Sequence, residues 1–173
     1  MIQIKNKAEC TGCHACYSKC PQDCINMIED EEGFLYPNID STKCIKCGLC
    51  EKVCPILHKT KSLKVKRVYG AYNKNNKTRL QSSSGGIFSL ISQECVSNGG
   101  ICFGAIYDDN FNVIHKGIEQ ENDICKMRSS KYYQSIIGSS FNIAKEKLEK
   151  NKPVIFSGTP CQIAGLKSVL GKD

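Results

Sequence analysis

No stretch of the 173-residue chain approaches the run of about 20 apolar residues that crosses a bilayer. The opening ten residues contain no apolar signal-peptide core. No Gly-x-Gly-x-x-Gly follows a strand-like run, so a nicotinamide-binding Rossmann unit has no support. Gly165 and Gly171-Lys172 imitate a phosphate-binding loop, but the glycines are one residue too far apart and no suitable strand precedes them. The formal charge is +7, yet no RNA-binding signature or aromatic-interleaved basic stripe accompanies it, which excludes nucleic acid as the expected partner. These absences predict a cytoplasmic protein without a transmembrane segment.

Cysteine is what the chain has in quantity: 13 residues. An odd count without a secretory signal argues against a disulfide framework. The spacing is more informative. Cys10-x2-Cys13-x2-Cys16-x3-Cys20-Pro21 returns as Cys44-x2-Cys47-x2-Cys50-x3-Cys54-Pro55, 34 residues later. A 4Fe–4S cube needs four thiolates converging on a small volume. Cys-x2-Cys-x2-Cys wraps a loop around three corners, and the fourth ligand comes from elsewhere. In two-cluster ferredoxins the fourth Cys of each run serves the other cluster. The expected sets are therefore Cys10, Cys13, Cys16 and Cys54 for one cluster, and Cys44, Cys47, Cys50 and Cys20 for the other. Zinc ribbons use Cys-x2-Cys pairs, two per site, and do not account for three cysteines at this spacing plus Cys-Pro, twice over. A cluster with its four thiolates carries about −2, so two of them bring the chain to roughly +3. Cys24 reads as a small buried side chain near a cluster and His14 as a loop residue that tunes solvent access. Clusters of this kind are oxygen-sensitive, which suits an anaerobic or reducing setting.

The fold class expected is α+β: a small two-cluster ferredoxin domain followed by a partial, mixed α/β, flavoprotein-like domain. Residues 1–57 form the first domain, with short strands at 2–4, 24–28 and 34–37. Residues 58–67, HKTKSLKVKR, have no apolar period and read as a basic linker. From Val68 the patterns change. Strands are predicted at 68–72, 101–107, 111–115 and 153–157. A helix begins after Ser82-Ser83-Ser84-Gly85-Gly86, with Ile87, Leu90, Ile91 and Cys95 on one face, and ends at Asn98-Gly99-Gly100. A second, over 140–150, turns Phe141, Ala144 and Leu148 inward. A third, over 161–170, stops at Gly171.

Four stretches of this second part carry candidate chemistry. Ser83-Ser84-Gly85-Gly86 offers close backbone approach and free N–H groups at a helix start, suited to a phosphate or flavin ring, or serves as an ordinary cap. Gly104-Ala105-Ile106-Tyr107-Asp108 and Ser130-Lys131-Tyr132-Tyr133-Gln134-Ser135 follow. Ser157-Gly158-Thr159-Pro160-Cys161-Gln162 puts Cys161 in a first helical turn, where the dipole favours a thiolate. Cys95 and Cys102 read as core residues, Cys125 fits either role, and His115 reads as a surface residue at a strand end.

In that order the four stretches resemble the family of coenzyme F420 hydrogenase/dehydrogenase beta subunits over residues 68–173. With a ferredoxin module in front, the chain is similar to the F420H2 dehydrogenase F-type subunits of methanogens and their bacterial relatives. The resemblance implies a flavoprotein that binds FAD, takes coenzyme F420 as substrate in some members, and often holds a third 4Fe–4S cluster. It assigns Ser84, Gly85, Gly86 and Lys131 to the cofactor and Cys161 to the additional cluster; catalytic residues stay unassigned. Such proteins continue well beyond the position of Asp173, so residues 68–173 read as the N-terminal part of that domain in an apparently truncated chain. The function it implies is an oxidoreductase subunit, not active alone, that passes electrons between a flavin and an external donor or acceptor protein or redox complex. The alternative is a non-catalytic electron relay and docking module, tied in bacterial relatives to surface-polysaccharide biosynthesis.

Overall fold

A computed structural model describes residues 2–4, 6–58 and 64–171. In chain order its helices and strands are α1 (Ala15–Lys19), β1 (Ile25–Glu29), β2 (Leu35–Ile39), α2 (Leu49–Lys52), α3 (Asn76–Leu80), α4 (Ile87–Ser97), β3 (Ile101–Tyr107), β4 (Val113–Ile118), α5 (Ser140–Glu149), β5 (Val154–Phe156) and α6 (Pro160–Leu170), with 3-10 helices at Lys7–Glu9 and Glu121–Met127. The α+β class is as expected. Among the described residues, no helix is long and apolar enough to cross a membrane.

The chain divides into two compact units. One comprises Met1–Lys61, Ile137–Asn142 and Gly158–Asp173; the other comprises Ser62–Ile136 and Ile143–Ser157. The expected basic linker falls partly at 59–63, outside the described residues.

The first unit is built on an antiparallel hairpin, β1 against β2, with Ile25 opposite Ile39 and Met27 opposite Pro37. Asp30 closes its tip: one carboxylate oxygen accepts from the N–H groups of Glu32 at 3.1 Å and Phe34 at 2.9 Å, and the other accepts from Lys7 Nζ at 2.7 Å. The Lys7 ammonium and the turn N–H groups hold this carboxyl below its ordinary range. Residues 2–4, expected as a strand, lie outside the sheet. Ile2 instead joins a core made with Ile25 and four cysteines, Cys16, Cys24, Cys50 and Cys54. An interior with so little hydrocarbon has little apolar area to stabilise it.

The second unit carries a three-stranded sheet in the order β4-β3-β5. β3 pairs antiparallel with β4 and parallel with β5. Its core gathers Val96, Cys102, Ile106 and Ile118 with Ile124 and Met127, the last two supplied by the 3-10 helix at Glu121–Met127. Three expectations need correction here. Residues 68–72 form no strand and are exposed. The strand expected at 111–115 starts at Val113, because Phe111 adopts a left-handed φ of 63° in the preceding turn. Helix α4 buries Ser89, Ser92, Cys95 and Val96 and leaves Leu90 and Ile91 half exposed. The reason is hydrogen bonding: Arg128 Nε donates to Ser89 Oγ at 2.9 Å, and the Cys102 thiol donates to Ser92 Oγ at 3.1 Å. Two satisfied hydroxyls override the apolar period.

Candidate iron–sulfur centres

The two cysteine runs repeat in backbone conformation as well as in sequence. In each, the residues on either side of the second cysteine take positive φ: Gly12 at 57° and His14 at 63° around Cys13, Lys46 at 54° and Gly48 at 74° around Cys47. Glycine supplies one left-handed position in each loop, and a residue with a side chain supplies the other, in opposite order. This conformation turns successive N–H groups toward one side of the loop, a concavity suited to anions. His14 and Gly48 then begin α1 and α2, so Cys16 and Cys50 are presented from short helices.

Each loop borders a hollow. The first, about 320 Å³ of open space, is lined by Cys10, Cys13, Cys16 and Cys54, with Ile2, Ile4, Met27 and Ile56 among its apolar walls. The second, about 360 Å³, is lined by Cys44, Cys47, Cys50 and Cys20, with Ile25 and Ile39. The fourth cysteine of each run thus lies at the hollow of the other run. Among the described residues no three His, Cys, Asp or Glu side chains are gathered as a single-ion site; what the cysteines share is space. Four thiols around each such space form the donor set a 4Fe–4S cube requires, and the residues fit two of them.

Electrostatics point the same way. Burial pushes the Cys10 and Cys13 thiols up, against backbone hydrogen bonds from Gly12 and Ala15. Cys16 is pushed up to about 12, by burial first and then by neighbouring Cys13. Packed thiols that resist ionisation together become thiolates only when metal compensates them, which couples cluster binding to the folding of this unit. Cys20 differs. Burial raises it, but hydrogen bonds from the backbone of Cys24 and Gln22 and from the Cys24 side chain outweigh that, and its thiol lies below the ordinary value. Cys24, 3% exposed, has its sulfur 3.4 Å from that of Cys20. Hydrogen bonding to Cys20, then burial, push it up to about 12. It is a ninth thiol, at the wall of the second hollow.

The other residues singled out from the sequence stand as follows. Gly86, at φ 72°, begins α4 with no side-chain cap. Gly85 is closely backed: a Cβ there would stand 2.7 Å from the Ala71 carbonyl oxygen, and its own carbonyl accepts from the Asn73 N–H at 2.7 Å. Ser84 is exposed beside them. Arg128 joins this loop to α4 by also donating to Gln81 Oε1 at 2.8 Å, a contact without local sequence signal. Lys131 Nζ is engaged by the carbonyls of Lys126, Arg128 and Ser129 at 3.1, 2.7 and 3.2 Å, and burial holds it below the ordinary lysine value.

Cys161 belongs to the first unit, with its sulfur 3.0 Å from Thr159 Oγ1 and near enough to Cys13 to raise that thiol. Helix α6 lies on the first loop. A Cβ on Gly165 would meet the Cys13 carbonyl oxygen and sulfur at 3.3 Å each, and Lys19 Nζ donates to the Val169 carbonyl at 3.3 Å. The remaining cysteines have local partners: Cys95 with the Ile101 and Pro153 carbonyls, Cys102 with Ser92, and Cys125 with the Asn122 carbonyl.

His115 corrects an expectation. It is buried, not a surface residue. Its Nε2 lies 2.9 Å from the Ser157 carbonyl and its Nδ1 2.9 Å from Ser135 Oγ. The carbonyl only accepts, so Nε2 carries the proton, and Nδ1 accepts from the serine in the neutral ring. Burial holds its pKa below the ordinary histidine value against the pull of that carbonyl.

Two hollows, each walled by four cysteines drawn from both halves of a repeat, define a two-cluster iron–sulfur domain. Residues 9–56 match the profile of a 4Fe-4S dicluster domain, and a second dicluster profile matches 40–102, which takes in the second cysteine run and continues past it. Relatives extend over most of the chain. It is 26% identical over 170 residues to the coenzyme F420-dependent sulfite reductase of Methanocaldococcus jannaschii, covering 96% of this chain and 26% of that protein. It is 25% identical over 165 residues to the F subunit of the F(420)H(2) dehydrogenase of Methanosarcina mazei, covering 88% and 46%. A shorter match, 39% over 56 residues, is to the I 2 subunit of the NADH-quinone oxidoreductase of Geobacter metallireducens, covering 30% and 43%. The chain therefore spans between about a quarter and about half the length of these relatives. Its N-terminal part binds two 4Fe–4S clusters.

Proposed function

We propose that Cys10, Cys13, Cys16 and Cys54 hold one cluster, that Cys44, Cys47, Cys50 and Cys20 hold the other, and that the chain is the electron-carrying part of a cytoplasmic oxidoreductase. The observation that carries this is the sorting of the eight thiols into two hollows with the fourth ligand exchanged. Clusters of this type hold one electron each, and their potential is set by hydrogen bonds to sulfur and by solvent exposure. The residues of the chain supply those conditions: N–H groups of the left-handed loops near the thiols, apolar walls of isoleucine, and the Cys24 thiol beside Cys20.

The flavin reading rests on the resemblance and on the names of two relatives. FAD would sit at Ser84, Gly85 and Gly86, of which Ser84 is exposed, and F420 would be the hydride-carrying substrate of the whole protein. Lys131, whose Nζ three carbonyls engage, would face the same cofactor. A third cluster would take Cys161 as one of its ligands.

Iron and acid-labile sulfide analysis of anaerobically reconstituted protein tests the core of this proposal. About eight irons per chain are expected, falling to about four in Cys13→Ala and in Cys47→Ala, with a different electron paramagnetic resonance signal lost in each. Zinc in place of iron, or one substitution erasing both signals while the fold is intact, would refute the assignment.

A further inference from the structure

The two hollows differ in what surrounds them. The first has no charged residue in its lining, and α6 lies over its second cysteine. The second is open. Cys47 is the one exposed cysteine of the eight, and Ile45 beside it is 60% exposed. Lys46 lines this hollow, is exposed, and forms no ion pair among the described residues. Lys43 and Lys52 flank it in the chain, both exposed. The acids of the same stretch are occupied: Asp40 accepts from Thr42 at 2.6 Å and pairs with Lys43 at 3.5 Å, and Glu51 is half-buried and engaged. Asp23, near Cys20, is the remaining negative charge.

The strongest acidic cluster of the unit is at the other end. Glu29, Asp30, Glu31 and Glu32 sit at the tip of the β1–β2 hairpin. Ile25 and Ile39 of that hairpin wall the second hollow, and Met27 and Pro37 wall the first. The hairpin thus runs from the second hollow past the first to the acidic tip. Five residues of strand separate Ile25 from Asp30, roughly 17 Å at strand rise, about twice the Debye length of ~8 Å at physiological salt. The tip is screened from the second hollow, to which Lys46 brings an unpaired positive charge, with Lys52 exposed nearby in the chain.

Resting on the two-cluster reading above, we propose that the Ile45–Lys46–Cys47 loop is the docking face for a one-electron carrier protein with an acidic rim, and that the second hollow is the outward end of the electron path. Ile45 supplies the desolvated contact, and Lys46 and Lys52 steer the carrier. Reduction of the carrier by one electron is matched by loss of one electron from the cluster in the second hollow, or the reverse; no proton or bond is exchanged. The first hollow, whose Cys13 loop packs against α6, is the inward end.

Calorimetric binding of an acidic flavodoxin to the reconstituted full chain tests this, after iron content and the resonance spectrum have verified both clusters in every variant. Wild-type binding should weaken steeply as salt rises. Lys46→Glu and Lys52→Glu should each weaken it about tenfold or more at low salt, while Glu31→Lys should change it by less than about twofold. Electron exchange with a small viologen should be equal in wild type, Lys52→Glu and Glu31→Lys. Wild-type protein that does not bind the flavodoxin, or unchanged affinity in both lysine variants with clusters intact, overturns the docking face and leaves the cluster assignment standing. Absent clusters in the wild type would overturn both.

Discussion

At the scale of single residues, Cys24 is the most consequential side chain beyond the eight. Nothing in its spacing marks it, since it falls outside both runs. Its sulfur is nonetheless 3.4 Å from Cys20, and it lines the second hollow. A hydrogen bond to a ligand sulfur favours the reduced, more negative cluster and raises its potential. Cys24→Ala should therefore lower the midpoint of the second cluster by roughly a few tens of millivolts, given about 59 mV per tenfold change for one electron. The first cluster should not move. Redox titration followed by electron paramagnetic resonance reads both, and equal shifts in the two would show that the contact is not what matters. His115 teaches the complementary lesson. A lone histidine at a strand end carries no local sign of burial, and only the partners at Ser135 and Ser157 reveal it as a neutral link between two of the motif stretches.

At the scale of elements, the cysteine runs were legible almost completely, because their spacing encodes the ligand geometry directly. The left-handed positions were half legible: Gly12 and Gly48 suggest them, while His14 and Lys46 hide them. Elsewhere, apolar periodicity located α4 but misjudged its face, since Ser89 and Ser92 are buried through partners distant in sequence. The expected strand at 68–72 has alternating residues but no ladder, and pattern alone does not create a partner. Helix α6 was legible from Pro160 and Gly171, yet its seat on the Cys13 loop was not, because small residues such as Gly165 leave no signal beyond their size. Gly100 offers a test of how tightly the second unit is assembled. A Cβ there would stand 2.5 Å from the Pro153 carbonyl oxygen and 2.7 Å from that of Cys95, and backbone atoms on both sides do not yield as side-chain tips do. Gly100→Ala should destabilise this unit by about 2–3 kcal/mol. Gly99→Ala, at φ 73° with open space around the new methyl, should cost about 1–2 kcal/mol through conformation alone. Thermal denaturation followed by circular dichroism compares them, and a smaller loss at Gly100 than at Gly99 would contradict the packing described.

At the scale of the whole molecule, the two units should respond differently to loss of iron. The first unit has a core of cysteines and a few isoleucines, with thiols that burial and mutual proximity hold against ionisation. Metal is what satisfies them, so binding and folding of this unit are linked. The second unit has a hydrocarbon core around Val96, Ile106, Ile118 and Ile124 and a sheet whose hydrogen bonds owe nothing to iron. Chelation under mild oxidation should therefore expose cleavage sites between residues 6 and 58 and along α6, which shares the first unit, while β3 and β4 stay protected. Limited proteolysis with mass mapping of the fragments, before and after iron removal, reads this directly. Protection of the 6–58 region that survives complete iron loss would mean that the apolar residues hold it without metal. Equal loss of protection in β3 and β4 would mean that the two units fold as one.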